Sequence, residues 1–215
     1  MTIPDEIKIY HIAHISKLSS IIADGFLYSD AEMHKREPVG VTIGMSEIKR
    51  RRLERLTLKS HPGLYVGQCV PLYFCPRSVM LYMFHMKNSQ DIEYRGGQEA
   101  IIHLVANLQK TIDWAQENNV RWAFTSSNAG SNYFDDFSDI NELKKLDWDA
   151  INARHWSDCR DKKQAEFLVE KKMPWELFEN VGVCSFEWLS EVNDVLAKSY
   201  NNHKPIVREC REWYY

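Results

Sequence analysis

Glu166 is the acidic residue inside an otherwise apolar, strand-like run that ends at Val169. If the run is a strand, successive side chains point to opposite faces, so Glu166 shares a face with Gln164 and Leu168. A carboxylate beside an amide in a cleft can meet a developing cation or a sugar hydroxyl. The alternative is a half-exposed strand with a solvated carboxylate. The residues predicted to face the core are Ala165, Phe167 and Val169.

His11 lies in the apolar strand pattern Tyr10-His11-Ile12, and His14 follows near the end of that strand. Such a histidine is either a core or edge residue whose ring nitrogens are hydrogen-bonded within the protein, or a neutral imidazole that hydrogen-bonds a ligand. The two histidines alone do not supply the ligands of a zinc site, and no metal is predicted.

A basic cluster, Lys49-Arg50-Arg51-Arg52 with Arg55, lies on a short predicted helix. Guanidinium groups match phosphate oxygens bidentately, so the cluster can bind a pyrophosphate or a nucleic-acid backbone. The alternative is a solvated helix face. The common glycine-rich nucleotide motifs and the hydrolase motif G-x-S-x-G are absent from the sequence.

Length and composition are those of an ordinary globular protein. The chain has 215 residues, 44% of them hydrophobic and 27% charged, with a net charge of −3. We therefore expect one domain over residues 1–215. Five scattered cysteines without C-x-x-C spacing fit reduced thiols. Neither a signal peptide nor an apolar run long enough to span a bilayer is recognised, so a cytoplasmic protein without membrane contact is expected.

Strand and helix patterns alternate loosely along the chain, which favours an α+β fold over a doubly wound sheet. Ser16 is expected to cap a helix that ends at Gly25. Pro71 predicts that its strand starts there or lies at a sheet edge. Residues 126–136 read as a loop, and residues 205–208 and 213–215 as terminal strands.

Several segments, in their order along the chain, resemble motifs of the DarT toxins. The opening strand with His11 and the arginine helix are two of them. The similarity spans nearly the whole chain. The remaining matching segments are Val70–Tyr82, Gly96–Leu104, Phe124-Thr125, Asp147-Trp148 and Gln164–Val169.

The resemblance implies a fold like that of other ADP-ribosylating toxins, with central, mainly antiparallel β-sheets that form an NAD cleft and helices around them. It also implies transfer of ADP-ribose from NAD+ to a base in single-stranded DNA, and control by DarG, a partner with a macrodomain. By resemblance, Glu166 is the catalytic glutamate and His11 binds the nicotinamide riboside. Arg51 or Arg52 contacts an NAD phosphate or assists the transfer. Tyr73 and Met80 belong to the NAD cleft. The loop after Phe124 and the segment before Glu166, including Arg160, approach the DNA.

The chemistry of these residue types agrees with that reaction. Loss of nicotinamide leaves positive charge on the ribose, which a carboxylate such as Glu166 can stabilise while it accepts the proton of the attacking base. Gln164 is a candidate contact to that base. Tyr73 and Trp156 are candidates to stack on nicotinamide or the base, with burial in the core as their alternative role.

Asn128 stands where many DarT sequences have a histidine. An amide can hydrogen-bond a base edge but does not act as an acid or base near neutral pH. Thymidine is therefore favoured only slightly over guanosine. RNA as the acceptor, and a catalytically idle nucleic-acid-binding module, are the remaining alternatives.

Overall fold

The computed structural model describes residues 3–36, 40–87 and 92–215. Ten strands and eight α-helices lie within these ranges. The strands are Lys8–His14 (β1), Phe26–Tyr28 (β2), Cys69–Tyr73 (β3), Ile101–Asn107 (β4), Trp122–Asn128 (β5), Asp136–Phe137 (β6), Ala165–Glu170 (β7), Lys172–Pro174 (β8), Phe178–Val183 (β9) and Ile206–Glu209 (β10). The helices are Leu18–Asp24 (α1), Asp30–Met33 (α2), Ser46–Glu54 (α3), Val79–Met86 (α4), Leu108–Glu117 (α5), Trp148–Asn152 (α6), Arg160–Lys163 (α7) and Phe186–Lys198 (α8).

Eight of the strands form one sheet in the order β10-β9-β4-β1-β3-β7-β5-β6, and β2 pairs with β8 in a small second sheet. Neighbouring strands run antiparallel throughout, except for the parallel pair β9–β10. The predicted α+β class with a mainly antiparallel sheet is confirmed.

Both faces of the sheet are covered, so its central strands carry apolar residues on either side. The first six residues of β4 are buried. On one face, the largest core packs apolar residues of α1, α5 and α8 against the strands. As the strand period predicts, Phe167 of β7 joins that core, whereas Leu168 packs in a separate cluster on the opposite face.

The pairing between β1 and β3 is nearly open. Tyr10 and Tyr73 are the one pair in register there, whereas β1 pairs with β4 over its full length. Pro71 lies inside the sheet, between β1 and β7, and follows Cys69 and Val70 in its strand, so the prediction of a strand start or an edge was wrong. A missing N–H is tolerated because β1 supplies no backbone partner at Pro71, whose carbonyl instead accepts a hydrogen bond from Nδ1 of His11 at 2.8 Å.

Three other local predictions were wrong. Ser16 does not cap α1, because a 3-10 turn over Ile15–Lys17 precedes that helix and the side chain of His14 accepts the Ser16 N–H. Residues 126–128 continue β5, and Asp136–Phe137 forms β6. Residues 213–215 form no strand, since Trp213 ends a 3-10 turn over Arg211–Trp213, whereas the strand predicted at 205–208 is present as β10. The predicted end of α1 is confirmed, since Gly25 adopts the left-handed conformation with φ 70°.

Candidate active site

A cleft with a volume of about 630 Å³ opens along the seam between β1 and β3. It contains most of the residues that the sequence singled out, although they are scattered over the length of the chain. Arg51 is not part of its described lining. The predicted site residues that do line the cleft are His11, Arg52, Tyr73, Met80, Asn128, Arg160, Gln164 and Glu166.

Glu166 is buried in this cleft, with 2% of its surface exposed. Its two carboxylate oxygens accept hydrogen bonds from the two terminal nitrogens of Arg52, at 3.2 and 2.9 Å. The side chain of Arg52 is only 12% exposed. A bidentate pair of this kind fixes the plane of the carboxylate, and it is kept in a buried site only where both charges are satisfied.

Burial alone would lower the pKa of the Arg52 guanidinium, but the Glu166 carboxylate beside it more than offsets this and raises that pKa above its ordinary value. Arg52 therefore remains a cation. The pair gives the cleft a fixed carboxylate with a permanent positive partner.

The phase of α3 explains which arginine reaches the carboxylate. Met45, immediately before the helix, and Ile48, Lys49 and Arg52 within it all line the cleft, at the i, i+3, i+4, i+7 spacing of one helix face. Arg50 points away and pairs with Glu47.

Arg51 is half-buried, and its Nε is buried without a hydrogen-bond partner among the described residues. Among the arginines of the cluster, only Arg52 is brought to Glu166 within the described part of the chain. A role for Arg51 in NAD binding or transfer stays a prediction.

A bulge in β5 fixes the backbone of Glu166. The register moves from Phe124 opposite Phe167 to Asn128 opposite Ala165, so β5 has two more residues than β7 across this interval. The Thr125 hydroxyl compensates for the interrupted ladder, because it accepts the Glu166 N–H at 3.1 Å and donates to the Ser127 carbonyl at 2.7 Å. Thr125 has no exposed surface, and its hydroxyl thus positions Glu166 by holding the Glu166 main-chain N–H.

We expect Thr125→Val to lower kcat about tenfold, because it leaves a buried N–H without an acceptor, at a cost of about 1–3 kcal/mol. Thr125→Ser should restore the rate. Thr111→Val is the matched control, since Thr111 of α5 is equally buried and donates to the carbonyl of Asn107, the residue before that helix, away from the cleft. Steady-state rates and thermal unfolding of all three variants test this. Equal losses of kcat in Thr125→Val and Thr111→Val would show that only general stability is affected.

His11 is held as a neutral imidazole with a known tautomer. A carbonyl can only accept, so the Nδ1 that meets the Pro71 carbonyl carries the proton, and Nε2 is an acceptor without a partner among the described residues. Burial lowers the pKa of His11 to about 4, although the Pro71 hydrogen bond opposes the shift. His11 can therefore accept a hydrogen bond from a ligand hydroxyl or amide throughout the neutral range.

Tyr73 lies directly opposite Glu166 in the pairing of β3 with β7. Burial, followed by the neighbouring Glu166 carboxylate, raises the pKa of Tyr73 above its ordinary value, so the phenol stays neutral. Met80 lies in the first turn of α4, whose start is capped by the Ser78 hydroxyl. Together Tyr73 and Met80 give the cleft an aromatic and a polarizable surface against which a flat ring can pack.

Sequence reasoning missed several charged residues of the cleft, among them Lys17 and Asp30. Lys49 pairs with Asp30 at 2.6 Å, whereas Lys17 makes no ion pair with any described residue. Burial, and then the nearby Lys49, lower the pKa of Lys17. A partly buried ammonium group of this kind favours an anionic ligand. The only signal in the sequence was a lysine one turn beyond the histidine strand, which is too common to single out.

Two amide side chains of the cleft lining are joined by a hydrogen bond. Asn128 donates to Oε1 of Gln164 at 3.2 Å and accepts the Gly130 N–H at 2.8 Å. Gln164 donates to the Arg160 carbonyl, and the exposed Arg160 side chain lines the same cleft. The three residues that the sequence predicted to contact the DNA thus come together in the same cleft as Glu166.

Trp156 lies outside the described cleft lining. Its indole donates to the Tyr215 hydroxyl and packs edge-on against Tyr82. Its alternative role, packing within the protein, is the one the structure supports. In the described ranges, no group of three or more histidine, cysteine or acidic side chains is arranged to hold a metal, and no helix is long and apolar enough to cross a membrane.

Comparisons with known proteins agree on one family. A family described as "DarT: ssDNA thymidine ADP-ribosyltransferase, DarT" matches residues 10–215. A protein of Thermus aquaticus described as a DNA ADP-ribosyl transferase is 38% identical over 207 residues, which cover 96% of this chain and 88% of that protein.

Solved structures give the same result. Thermus sp. 2.9 DarT in complex with ADP-ribosylated ssDNA matches with a TM-score of 0.90 at 36% identity, covering 100% of this chain and 99% of that one. The same protein in complex with NAD+ matches with a TM-score of 0.85 at 34% identity, over 100% of both chains. Thermosipho africanus DarTG in complex with ADP-ribose shares the fold, with a TM-score of 0.72 at 18% identity, over 97% of this chain and 51% of that one. The predicted ADP-ribosyltransferase-like fold is confirmed.

Proposed function

The chain belongs to the DarT family, as its motifs predicted, and from that premise we propose that it transfers ADP-ribose from NAD+ to thymidine in single-stranded DNA and releases nicotinamide. The observation that carries the proposal is the buried pair of Glu166 and Arg52 in a cleft of about 630 Å³. The family description names ssDNA thymidine, and a relative has been solved with NAD+ and with ADP-ribosylated ssDNA. Guanosine in DNA and RNA remain the alternative acceptors.

The cleft offers complementary groups to the pyrophosphate and the nicotinamide riboside of NAD+. Lys17 and Lys49 supply positive charge for the pyrophosphate, and Nε2 of His11 accepts a hydrogen bond from a ribose hydroxyl or the carboxamide. Tyr73 and Met80 pack against the nicotinamide ring. These roles rest on the places of the five side chains in one cavity and on their chemistry.

In the transfer, the bond between the ribose anomeric carbon and the nicotinamide nitrogen breaks, and its electron pair leaves with neutral nicotinamide. Positive charge then develops on the ribose. The Glu166 carboxylate stabilises that charge and hydrogen-bonds the 2′-hydroxyl, while Arg52 holds the carboxylate in one orientation. Because both groups are fixed before the substrate binds, little reorganisation is needed at the moment of reaction.

The acceptor base completes the reaction. In thymidine the base keeps one ring N–H, because its other ring nitrogen bonds the deoxyribose. That remaining nitrogen forms the new bond to the anomeric carbon as the proton passes to Glu166. Asn128 and Gln164 offer amide donors and acceptors to the imide edge of the base, and Arg160 offers a cation to the DNA backbone. Since Asn128 does not take up a proton near neutral pH, Glu166 is the only carboxylate among the predicted site residues that can do so.

We expect NAD+ affinity to be insensitive to the protonation of His11 from neutral pH down to about pH 5. The reason is that its pKa of about 4 keeps the imidazole neutral over that range, and protonation, which converts Nε2 from acceptor to donor, begins only as the pH falls towards 4. Titration calorimetry with NAD+ across this range, on the parent and on His11→Gln, measures the effect. A loss of affinity with a midpoint near 6.5, present in the parent and absent in the variant, would contradict the assignment.

We also propose that this protein acts in the cytoplasm and is controlled by a macrodomain partner of the DarG type. Its support is the sequence resemblance and the shared fold with the DarTG protein. Incubation of the modified DNA with a purified DarG macrodomain should release ADP-ribose from it. DNA that keeps its label under these conditions would leave the partner without support.

Label transfer from NAD+ to defined oligonucleotides tests the function. Single-stranded DNAs that contain thymidine as the only modifiable candidate, matched DNAs with guanosine in its place, and RNAs of the same sequence are compared. We expect label on the thymidine DNA. Label on guanosine DNA or on RNA would show that the acceptor is guanosine or RNA instead of thymidine in DNA. Binding of oligonucleotide without label transfer to any of them would show a catalytically idle nucleic-acid-binding module.

A further inference from the structure

The amide side chains of Asn128 and Gln164 form a hydrogen-bonded chain whose direction is fixed at both ends by the main chain. At one end, the Gly130 N–H is a donor and lies 2.8 Å from the Asn128 side chain, so the atom that it meets is Oδ1. At the other end, the Arg160 carbonyl is an acceptor and lies 3.1 Å from the Gln164 side chain, so the atom that it meets is Nε2. Neither amide can flip without the loss of a backbone hydrogen bond.

The link between the two amides agrees with this direction. Nδ2 of Asn128 donates to Oε1 of Gln164 at 3.2 Å. Asn128 ends β5 and is paired with Ala165 of β7, the residue after Gln164, so the two strands bring the side chains together. A Cβ atom at Gly130 would lie 3.0 Å from Oδ1 of Asn128 and from Cγ2 of Ile48, so glycine permits the close approach. The direction of the chain is therefore built into the fold.

Each amide nitrogen keeps one N–H that the chain does not use. A side-chain amide has two N–H groups, and one of them is engaged in each of Asn128 and Gln164. The other N–H of each has no acceptor among the described residues, whereas both amide oxygens already accept a hydrogen bond. Both side chains line the cleft that holds Glu166. Since an unmade donor bond in a partly buried site costs free energy, the pair favours a ligand that presents acceptor atoms.

Among the DNA bases, thymine has the edge that matches two donors and a proton-accepting carboxylate. Its ring N–H lies between two carbonyl oxygens, and both are acceptors. Guanine also has a ring N–H, but one neighbour of that group is an amino group, a donor that would face an amide N–H. Adenine and cytosine carry no proton on the corresponding ring nitrogen. Uracil has the same edge as thymine, because the methyl group of thymine lies outside it.

We propose that the directed Asn128–Gln164 pair selects the acceptor base by the polarity of its edge, and that deoxyuridine in single-stranded DNA is therefore a second acceptor beside thymidine. The two amides bind the carbonyl oxygens of the base. The ring nitrogen between these oxygens bonds the anomeric carbon, its proton passes to Glu166, and nicotinamide leaves with the electron pair of the broken bond. This inference deepens the proposed function and rests on its assignment of a DNA base as the acceptor.

Mass spectrometry of nucleosides after reaction of NAD+ with four oligonucleotides tests the selection. Each is built from deoxyadenosine and deoxycytidine, apart from one central thymidine, deoxyuridine, deoxyguanosine or deoxyinosine. We expect the initial rates for thymidine and deoxyuridine to agree within about threefold, and the rate for deoxyguanosine to be about 10–100-fold lower because donors are left unpaired. Deoxyinosine has the guanine edge without the amino group, so it should be modified faster than deoxyguanosine.

Asn128→Asp reverses the polarity at one of the two positions. It keeps an oxygen for the Gly130 N–H but replaces a donor with an acceptor, so the ratio of the thymidine rate to the deoxyguanosine rate should fall about tenfold. Asn107→Asp is the matched control, since Asn107 also accepts a backbone N–H, from Lys110, and donates to a side-chain oxygen, of Glu6, but does not line the cleft. Its ratio should equal that of the parent.

Three results would overturn the inference while ADP-ribosyl transfer to DNA still stands. They are equal rates for deoxyguanosine and thymidine, modification of thymidine but not of deoxyuridine, and an unchanged ratio in Asn128→Asp. If no base is modified, the proposed function fails instead. Equilibrium binding of the same four oligonucleotides, fluorescently labelled and without NAD+, then decides the inference, because the same order of affinities is expected and equal affinities would overturn it.

Discussion

Replacing Glu166 by Gln is expected to reduce ADP-ribosyl transfer by about 10²–10⁴-fold while NAD+ still binds. The amide is nearly isosteric, so the cleft keeps its shape. It carries no negative charge to meet the ribosyl cation, and it takes up no proton from the attacking base. Single-turnover rates with saturating DNA, together with the Kd for NAD+, separate the two effects.

Glu170→Gln is the matched control, since Glu170 lies on the same strand and accepts a bidentate pair of hydrogen bonds from Arg121, at 2.8 and 2.9 Å, outside the cleft. Its transfer rate should equal that of the parent. A collapse of NAD+ affinity in Glu166→Gln would mean that Glu166 shapes the cleft rather than catalyses. Equal losses of rate in Glu166→Gln and Glu170→Gln would point to damage to β7.

Arg52→Lys is expected to lower kcat by about 10²-fold, although it keeps a positive charge. A single ammonium group cannot make the two parallel hydrogen bonds that fix the Glu166 carboxylate, which lies opposite the guanidinium at 3.2 and 2.9 Å. Arg52→Ala should in addition destabilise the fold by roughly 3–5 kcal/mol, because it leaves a buried carboxylate without its partner. Denaturant unfolding and initial rates measure both effects.

The same helix supplies the controls. Arg50→Lys should be neutral, because Arg50 pairs with Glu47 on the exposed side of α3. Arg51→Lys tests the neighbouring arginine that the sequence also favoured. A larger loss in Arg51→Lys than in Arg52→Lys would reverse the roles assigned to the two residues.

The position of Glu166 was predictable because strand side chains alternate with a period of two. That period places Phe167 in the core and Glu166 on the other face, as the structure has it. The low exposure of Glu166 was not predictable, because the covering residue, Arg52, is distant in sequence. Local patterns determine which face a residue lies on, whereas tertiary packing determines what covers it.

The phase of α3 could not be read from the sequence for a related reason. Four consecutive basic residues, Lys49 to Arg52, cover all sides of one helical turn, and only Ile48 and Leu53 are apolar in α3. Without an apolar stripe, neither the buried side nor the arginine facing the cleft can be chosen. The structure fixes the phase, because Ile48 and Arg52 lie on the same side and line the cleft.

Pro71 and Thr125 illustrate the effect of irregular pairing. Proline in a strand normally signals an edge, but the open seam between β1 and β3 creates an internal position without a backbone partner. At the bulge of β5, the Thr125 hydroxyl takes the place of a backbone carbonyl and accepts the Glu166 N–H. Neither feature has a local sequence signature, and both lie at the cleft, where the sheet departs from regular pairing.

Mass spectrometry of nucleosides from single-stranded DNA treated with NAD+ and this protein tests the central claim most directly. We expect ADP-ribosyl thymidine in digests from the parent and from Glu170→Gln, and none above background from Glu166→Gln. An adduct formed equally well by Glu166→Gln, or the absence of an ADP-ribosylated nucleoside with the parent, would contradict the assignment of Glu166 and Arg52 as the centre of an ADP-ribosyl transfer to DNA.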